Sequence, residues 1–338
     1  MQLPTLDKFP KSVLGGIDIQ TAFIVSRLIV AAERLQVFRL LHGKHMHAAA
    51  ICRALQLHQA FCTTYLNALV SLGLLHKSGD TYRNSRLAEK YFIAERSIHW
   101  TRQYSRECVE AYDRLTVLEE ALASGRSCAS ITGLDKLSYV EAMKRNPGRA
   151  EDFTQMLFHY HRDDAVALAK HLQLSQHHAL LDVGGGSGVM SISLVTRNPQ
   201  LHACILDIEP VCRIAARNIR RARLSRRIST LPGDLRDELP SGYDVVMFCD
   251  IGEISPQLLR NAHASLPPGG LVIAVDRYLS PDGTRSLDRL VGSFAASAVQ
   301  PTTRSEVVAR IRTCGFHKVT ARKVYRDLWC ITGTKPAD

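Results

Sequence analysis

The sequence predicts an α/β fold, with a doubly wound parallel sheet in the C-terminal half and a mostly helical, winged-helix domain before it. Three observations carry this. From Leu180 onward, short apolar runs alternate with helical patterns, the order expected of βαβ units. The first run leads into Leu181-Asp182-Val183-Gly184-Gly185-Gly186-Ser187-Gly188, an acid followed by four glycines within five residues. Before residue 170 the periodicity is helical, with one short polar hairpin at His76–Tyr82. At 338 residues the chain has room for about two domains of ~150 residues each. We divide it at 1–169 and 170–338.

Residues 17 to 41 carry apolar side chains at helical spacing (Ile24, Leu28, Ala32, Leu35, Phe38), with coverage broad enough to suggest burial on more than one side. Ala48 to Leu55 and Gln59 to Leu75 then read as two helices, followed by the hairpin: a winged helix-turn-helix pattern. A DNA-reading helix needs Arg, Lys, Asn or Gln at successive exposed positions. Here the second helix offers only Gln59, Thr63, Thr64 and Asn67, with no cation before Lys77. Dimerisation or scaffolding is the preferred reading, and no nucleic-acid partner is expected. Tyr104 to Ala123 and Leu137 to Leu172 are amphipathic, the second broken near Pro147. It contains Met156, His159, Tyr160 and His161. Histidines two apart do not share a helical face, so no paired metal site is expected; one of them lining a pocket and a plain surface histidine both remain open.

The expected strands are Leu180–Val183, Ala203–Leu206, Ile228–Leu231, Val245–Cys249, Leu271–Val275, Lys318–Lys323 and Leu328–Thr332, the last two as an antiparallel hairpin. Arg213, Arg217, Arg220, Arg221 and Arg223 on the intervening 209–224 helix read as a solvated face.

The glycine-rich turn is the chemically informative stretch. Glycines let the backbone turn with positive φ and let a ligand approach without meeting a Cβ. Dinucleotide enzymes put a pyrophosphate there; class I methyltransferases put the amino-acid and ribose parts of S-adenosylmethionine (SAM) there. Asp182, two residues before the first glycine, suits a cationic amino group or an ordered water and would repel a diphosphate. Asp207 closes the next apolar run, 19 residues after Gly188, where a carboxylate accepts ribose hydroxyls.

The formal net charge of +11 permits nucleic acid, an anionic surface or an acidic small molecule, and does not choose among them. Nine scattered cysteines without a CxxC pair read as reduced core residues. No run of about 18 apolar residues and no signal-like N-terminus occurs, so the expectation is a cytoplasmic protein without a membrane partner.

Together with Asp207, Pro232-Gly233-Asp234, Tyr243-Asp244-Val245-Val246, Leu266-Pro267-Pro268-Gly269-Gly270 and Arg304-Ser305-Glu306, the turn resembles the dimeric SAM-dependent small-molecule O-methyltransferases, the caffeate and hydroxyindole class, over nearly the whole chain. The resemblance implies a Rossmann-like class I methyltransferase domain, a winged-helix dimerisation domain and a homodimer. By position it implies that Gly184, Gly186 and Gly188 approach the methionine and ribose of SAM. Asp207 then holds the ribose, Asp234 and Leu235 the adenine, and Phe248 and Cys249 face the methionine moiety. The product is S-adenosylhomocysteine (SAH), no metal is needed, and Met156, His159, Tyr160 and His161 border the acceptor.

The chain departs from the family at the catalytic base. Where members carry a His-Asp-Trp run, this sequence has Ile251-Gly252-Glu253-Ile254-Ser255, which places Glu253 at the histidine's position. A carboxylate with a reference pKa of about 4.3 is a weak partner for a phenol near 10 unless burial raises it. Glu253 as a tuned base, a histidine such as His159 or His161, or an acceptor needing no base all remain open. The stretch Val246–Ile251 is similar to bacteriochlorophyllide C-20 methyltransferases, which methylate carbon. The expected reaction is methylation of a hydroxyl on a planar aromatic molecule. The alternatives are carbon methylation of a tetrapyrrole, or non-methylating chemistry on the same fold.

Overall fold

The computed structural model describes residues 22–94, 102–103, 106, 109–133, 139–284, 287–297 and 301–337. The chain forms two compact units, Met1–Asp113 and Arg114–Asp338. Residues 17–21 of the first expected helix, Tyr104, Ser105, Glu107 and Cys108 of the next, and Leu137 and Ser138 lie outside the described residues.

In the first unit, α1 (Ala22–Arg34) stops short of the expected end at residue 41. Gln36 takes a left-handed conformation with φ 60°, which breaks the helical ladder before the short turn Val37–Leu40. The helices α2 (Ala48–Ala54) and α3 (Gln59–Ser71) precede the wing. The wing is an antiparallel sheet of β1 (Met46–His47), β2 (Leu75–Ser78) and β3 (Thr81–Asn84) in the order β1-β3-β2. Phe38, Ile51, Leu66, Leu69, Leu74 and Tyr82 are fully buried and make one core from helices and wing. Three of the polar residues of α3 bond to their own helix or to the wing. Thr63 and Thr64 donate to the carbonyls of Gln59 and Ala60, and the Asn67 side-chain oxygen accepts from Lys77 and Tyr82.

One reading is corrected here. Cys52 and Cys62 are joined as a disulfide, because α2 and α3 pack with these Cα atoms 5.8 Å apart. Six other cysteines are free, as expected, and Cys108 lies outside the described residues.

The second unit begins before residue 169 because its helices complete the sheet's own layers. In chain order these are α4 (Tyr139–Arg145), α5 (Pro147–Tyr160) and α6 (Arg162–His171). Asn146 caps α5 by accepting from the Arg149 N–H, and Pro147 opens the helix, where its missing N–H costs nothing. All seven expected strands form: β4 (Ala179–Val183), β5 (His202–Asp207), β6 (Ile228–Pro232), β7 (Val245–Cys249), β8 (Leu271–Asp276), β9 (His317–Tyr325) and β10 (Leu328–Thr334). Their order is β6-β5-β4-β7-β8-β10-β9, parallel through β8 and antiparallel at the final hairpin.

Helices α7 (Val189–Arg197) and α8 (Glu209–Arg221) follow β4 and β5, while α9 (Pro256–Ser265) follows β7. Later come α10 (Leu287–Gly292) and α11 (Arg304–Thr313). Helix α6 packs beside α7, and α5 beside α8. Alternate residues of the central strands feed two cores, Leu180, Ile205, Met247 and Ile273 on one face and Leu181, Val246, Phe248 and Val272 on the other. Strand order reverses at β4, so the crevice outside its carboxyl end is where ligands bind such sheets.

Candidate active site

The residues expected to meet the cofactor lie at the ends of β4, β5 and β6. Gly184, Gly186 and Gly188 all have positive φ (69°, 55° and 79°), which turns the chain from β4 into α7 within a few residues. A Cβ on Gly184 would come within 2.7 Å of the Ile251 side chain. A chain of amides braces the turn: Gln155 of α5 donates to Asn218 of α8, which donates to the Ser187 carbonyl.

Asp182 is fully buried beneath the turn, where a Cβ on Gly185 would meet its carboxyl carbon at 2.6 Å. Ser191 donates to one carboxylate oxygen at 2.6 Å, and the other has no protein partner. Burial first, with repulsion from Asp207 adding to it, outweighs the Ser191 bond and pushes the Asp182 carboxyl up to about 7. Asp207 is partly buried and takes the Gly186 N–H at 2.9 Å and the Ile208 N–H at 2.7 Å. Burial still holds it at about 6. Asp234, past β6, is gripped by the Arg236 guanidinium at 2.9 and 2.5 Å, which pulls its carboxyl to about 2. Leu235 leans toward the glycine turn.

The side chains expected at the methionine end separate. Cys249 keeps some exposed surface, whereas Phe248 is fully buried in the sheet's second core. Strand alternation explains the split.

A charged network lies at the ends of β7 and β8. His161 sits between α5 and α6 and is 6% exposed. Its two ring nitrogens meet Asp164 at 3.1 Å and Asp250 at 3.0 Å. Burial opposes the charged imidazolium, but the two carboxylates outweigh it and raise the pKa. With both nitrogens engaged, His161 has none left to take a proton. Behind it, Arg277 holds Asp164 at 2.6 Å and lies over the Tyr160 ring. Arg289 of α10 pairs with buried Asp276 and reaches Asp250 at 3.4 Å. Burial, then repulsion from Asp250, pushes Asp276 up to about 6 despite Arg289. Met156 is buried, and His159 is half-buried, edge-on to Phe158.

Glu253 stands apart. Its side chain is 47% exposed and pairs with Arg310 of α11 at 3.1 Å. Sequence reasoning missed Asp164, Asp250, Asp276, Arg277 and Arg289. The signal that found Asp207, an acid closing an apolar strand, was also present at Asp250 and Asp276.

No group of His, Cys, Asp and Glu among the described residues has a metal-site arrangement, and no described helix is long and apolar enough to cross a membrane. The residues do fit a sulfonium nucleoside: an unpartnered buried carboxylate oxygen under a side-chain-free turn, and a second acid at the neighbouring strand end.

Fold and site together define a class I, SAM-dependent methyltransferase. Residues 117–311 match the O-methyltransferase domain and residues 17–93 the O-methyltransferase dimerisation domain, so the chain belongs to that family. It is 26% identical to TcmO, the tetracenomycin polyketide synthesis 8-O-methyl transferase of Streptomyces glaucescens, covering 95% of this chain and 96% of that one. A shorter stretch of 122 residues is 42% identical to an L-tyrosine C(3)-methyltransferase of Streptomyces lavendulae, covering 34% of this chain and 33% of the relative. Among solved structures, PigF with SAH superposes with a TM-score of 0.82 at 22% identity, covering 98% of this chain and 100% of PigF.

Proposed function

We propose that this chain acts as a homodimer and methylates a hydroxyl of a planar aromatic small molecule. The observation that carries the reading is the strand-end arrangement of Asp182, the glycine turn and Asp207 beside a charged acceptor-side network. When bound, SAM supplies an electrophilic methyl on a sulfonium. In this reading Asp207 accepts from the ribose hydroxyls, and Asp182 meets the amino group through an ordered water at its open oxygen. Asp234 and Leu235 border the adenine, which requires Arg236 to release or share its carboxylate. Cys249 lines the methionine end, with Phe248 supporting it from the core.

The protein's remaining task is to align the acceptor and exclude water. Met156, Tyr160 and His159 border the acceptor, and His159 is the histidine proposed to receive its proton. Glu253 is assigned no proton transfer while Arg310 holds it. Among the relatives, TcmO is named for O-methylation of an aromatic polyketide product, which supports an aromatic hydroxyl.

A second reading is methylation at a ring carbon beside a phenol. The pairing of Glu253 with Arg310 and the local likeness to a tyrosine C(3)-methyltransferase favour it. The tetrapyrrole acceptor is not favoured. Calorimetry with SAH tests the cofactor assignment: Asp207→Ala should weaken binding by about 10- to 100-fold, the worth of one to two hydrogen bonds to a charged group. Unchanged affinity would remove the assignment. Mass and NMR analysis of the methylated product separates oxygen from carbon.

A further inference from the structure

We propose that the acceptor is an aromatic α-amino acid whose ammonium docks on Asp250 and whose carboxylate docks on Arg289. This rests on the function proposed above and names its substrate class.

The first support is position. Asp250 follows β7, which pairs with β4 so that Phe248 lies opposite Val183, the last residue before the glycine turn. The next residue, Ile251, packs against Gly184. Asp250 therefore borders the crevice at the switch point, on the side away from Asp207.

The second support is exposure. Asp164, Asp276 and His161 are buried, while the Asp250 side chain is 35% exposed and Arg289 26%. Asp250 also holds a left-handed backbone with φ 52°, a cost tolerated where a side chain must be aimed. Burial opposes ionisation of Asp250, but His161 and the two arginines outweigh it and keep it an anion. It is a poor proton acceptor and a good seat for a cation.

The third support is the fit of charge and spacing. The network holds three cations, His161, Arg277 and Arg289, against three acids at the site, Asp164, Asp250 and Asp276, with a fourth, the exposed Asp327, on the far side of Arg277. A zwitterion adds no net charge to it and offers each member of the Asp250–Arg289 pair a new partner of opposite sign. Asp250 and Arg289 stand 3.4 Å apart, longer than the roughly 2.7–2.9 Å of a tight charged hydrogen bond. The two charges of an α-amino acid can replace that loose pair with two better ones. The Tyr278 hydroxyl, two residues past Asp276, is buried without a partner.

The test is calorimetry on the full chain loaded with SAH, using four probes: L-tyrosine, tyramine, 3-(4-hydroxyphenyl)propanoate and p-cresol. L-Tyrosine should bind about tenfold or more tightly than p-cresol, with the two half-heads weaker than L-tyrosine. Asp250→Asn, which keeps the shape and tolerates the left-handed backbone, should erase the advantage of L-tyrosine and tyramine. Arg289→Gln should erase that of L-tyrosine and the propanoate. Equal binding of p-cresol and L-tyrosine, no binding of L-tyrosine, or an unaltered ranking in both variants overturns the proposal. If SAH itself does not bind, the proposed function falls and takes this inference with it. If SAH binds and a headless phenol is taken as well as L-tyrosine, only the amino-acid assignment falls.

Discussion

The two halves of the sheet's carboxyl edge hold their acids in opposite ways. On β4 and β5 the partners are short-range and neutral: Asp207 takes two backbone N–H groups and Asp182 a serine hydroxyl. Those carboxyls are pushed up to about 6 and about 7, since burial outweighs the neutral donors. On β7 the partners are cations from distant elements, His161 and Arg289, and the Asp250 carboxyl is held below its ordinary value. The proposed cofactor side thus keeps a carboxylate oxygen, on Asp182, that a cationic ligand or a water can finish satisfying. On the proposed acceptor side each acid is already paired with a cation.

Substitutions can break this contrast, and the largest effect falls on the acceptor side. His161→Leu leaves Asp164 and Asp250 facing an apolar side chain, and chemical denaturation should show a loss of about 3–5 kcal/mol. The sign of its pH dependence follows from the raised pKa. The stabilisation from His161 is complete below the unfolded value near 6.5 and is lost as pH rises through the folded value. The variant should lack that decline.

Next comes the cofactor side. Gly184→Ala puts a Cβ against Ile251 in a left-handed backbone, at a cost of about 2 kcal/mol in stability. Calorimetry should show SAH affinity falling by about tenfold or more.

Asp182→Asn sharpens the comparison by removing the raised carboxyl. A group at about 7 when folded and 3.8 when unfolded loses stability for the native state as pH climbs between those values. The pH dependence of the variant's melting temperature should be flatter over that window. The remaining slope comes from Asp207 and Asp276, both pushed up to about 6.

The smallest effect is expected outside both halves. Glu253→Gln breaks a half-exposed pair with Arg310 and should change stability by no more than about 0.5 kcal/mol. A turnover loss of a hundredfold or more would return Glu253 to the chemistry.

The same contrast governs what could be read from the sequence. Asp182, the glycines and Asp207 lie within 26 consecutive residues, in a strand-turn-helix-strand order whose periodicities are visible without the fold. All seven strands and the closing hairpin were legible for that reason. The acceptor network was not, because its bonds span long stretches of chain: 89 residues separate His161 from Asp250, and 113 separate Asp164 from Arg277. His161 was visible only as one of two nearby histidines. Nothing local showed that both its nitrogens would be taken. The Cys52–Cys62 bond was hidden likewise, since it depends on how α2 and α3 pack.

Titration of the purified full chain with SAH and, separately, with NAD tests the central claim most directly. Saturable binding of SAH that Asp207→Ala weakens, and none of NAD, is the expected result. Uptake of NAD with indifference to SAH would contradict it.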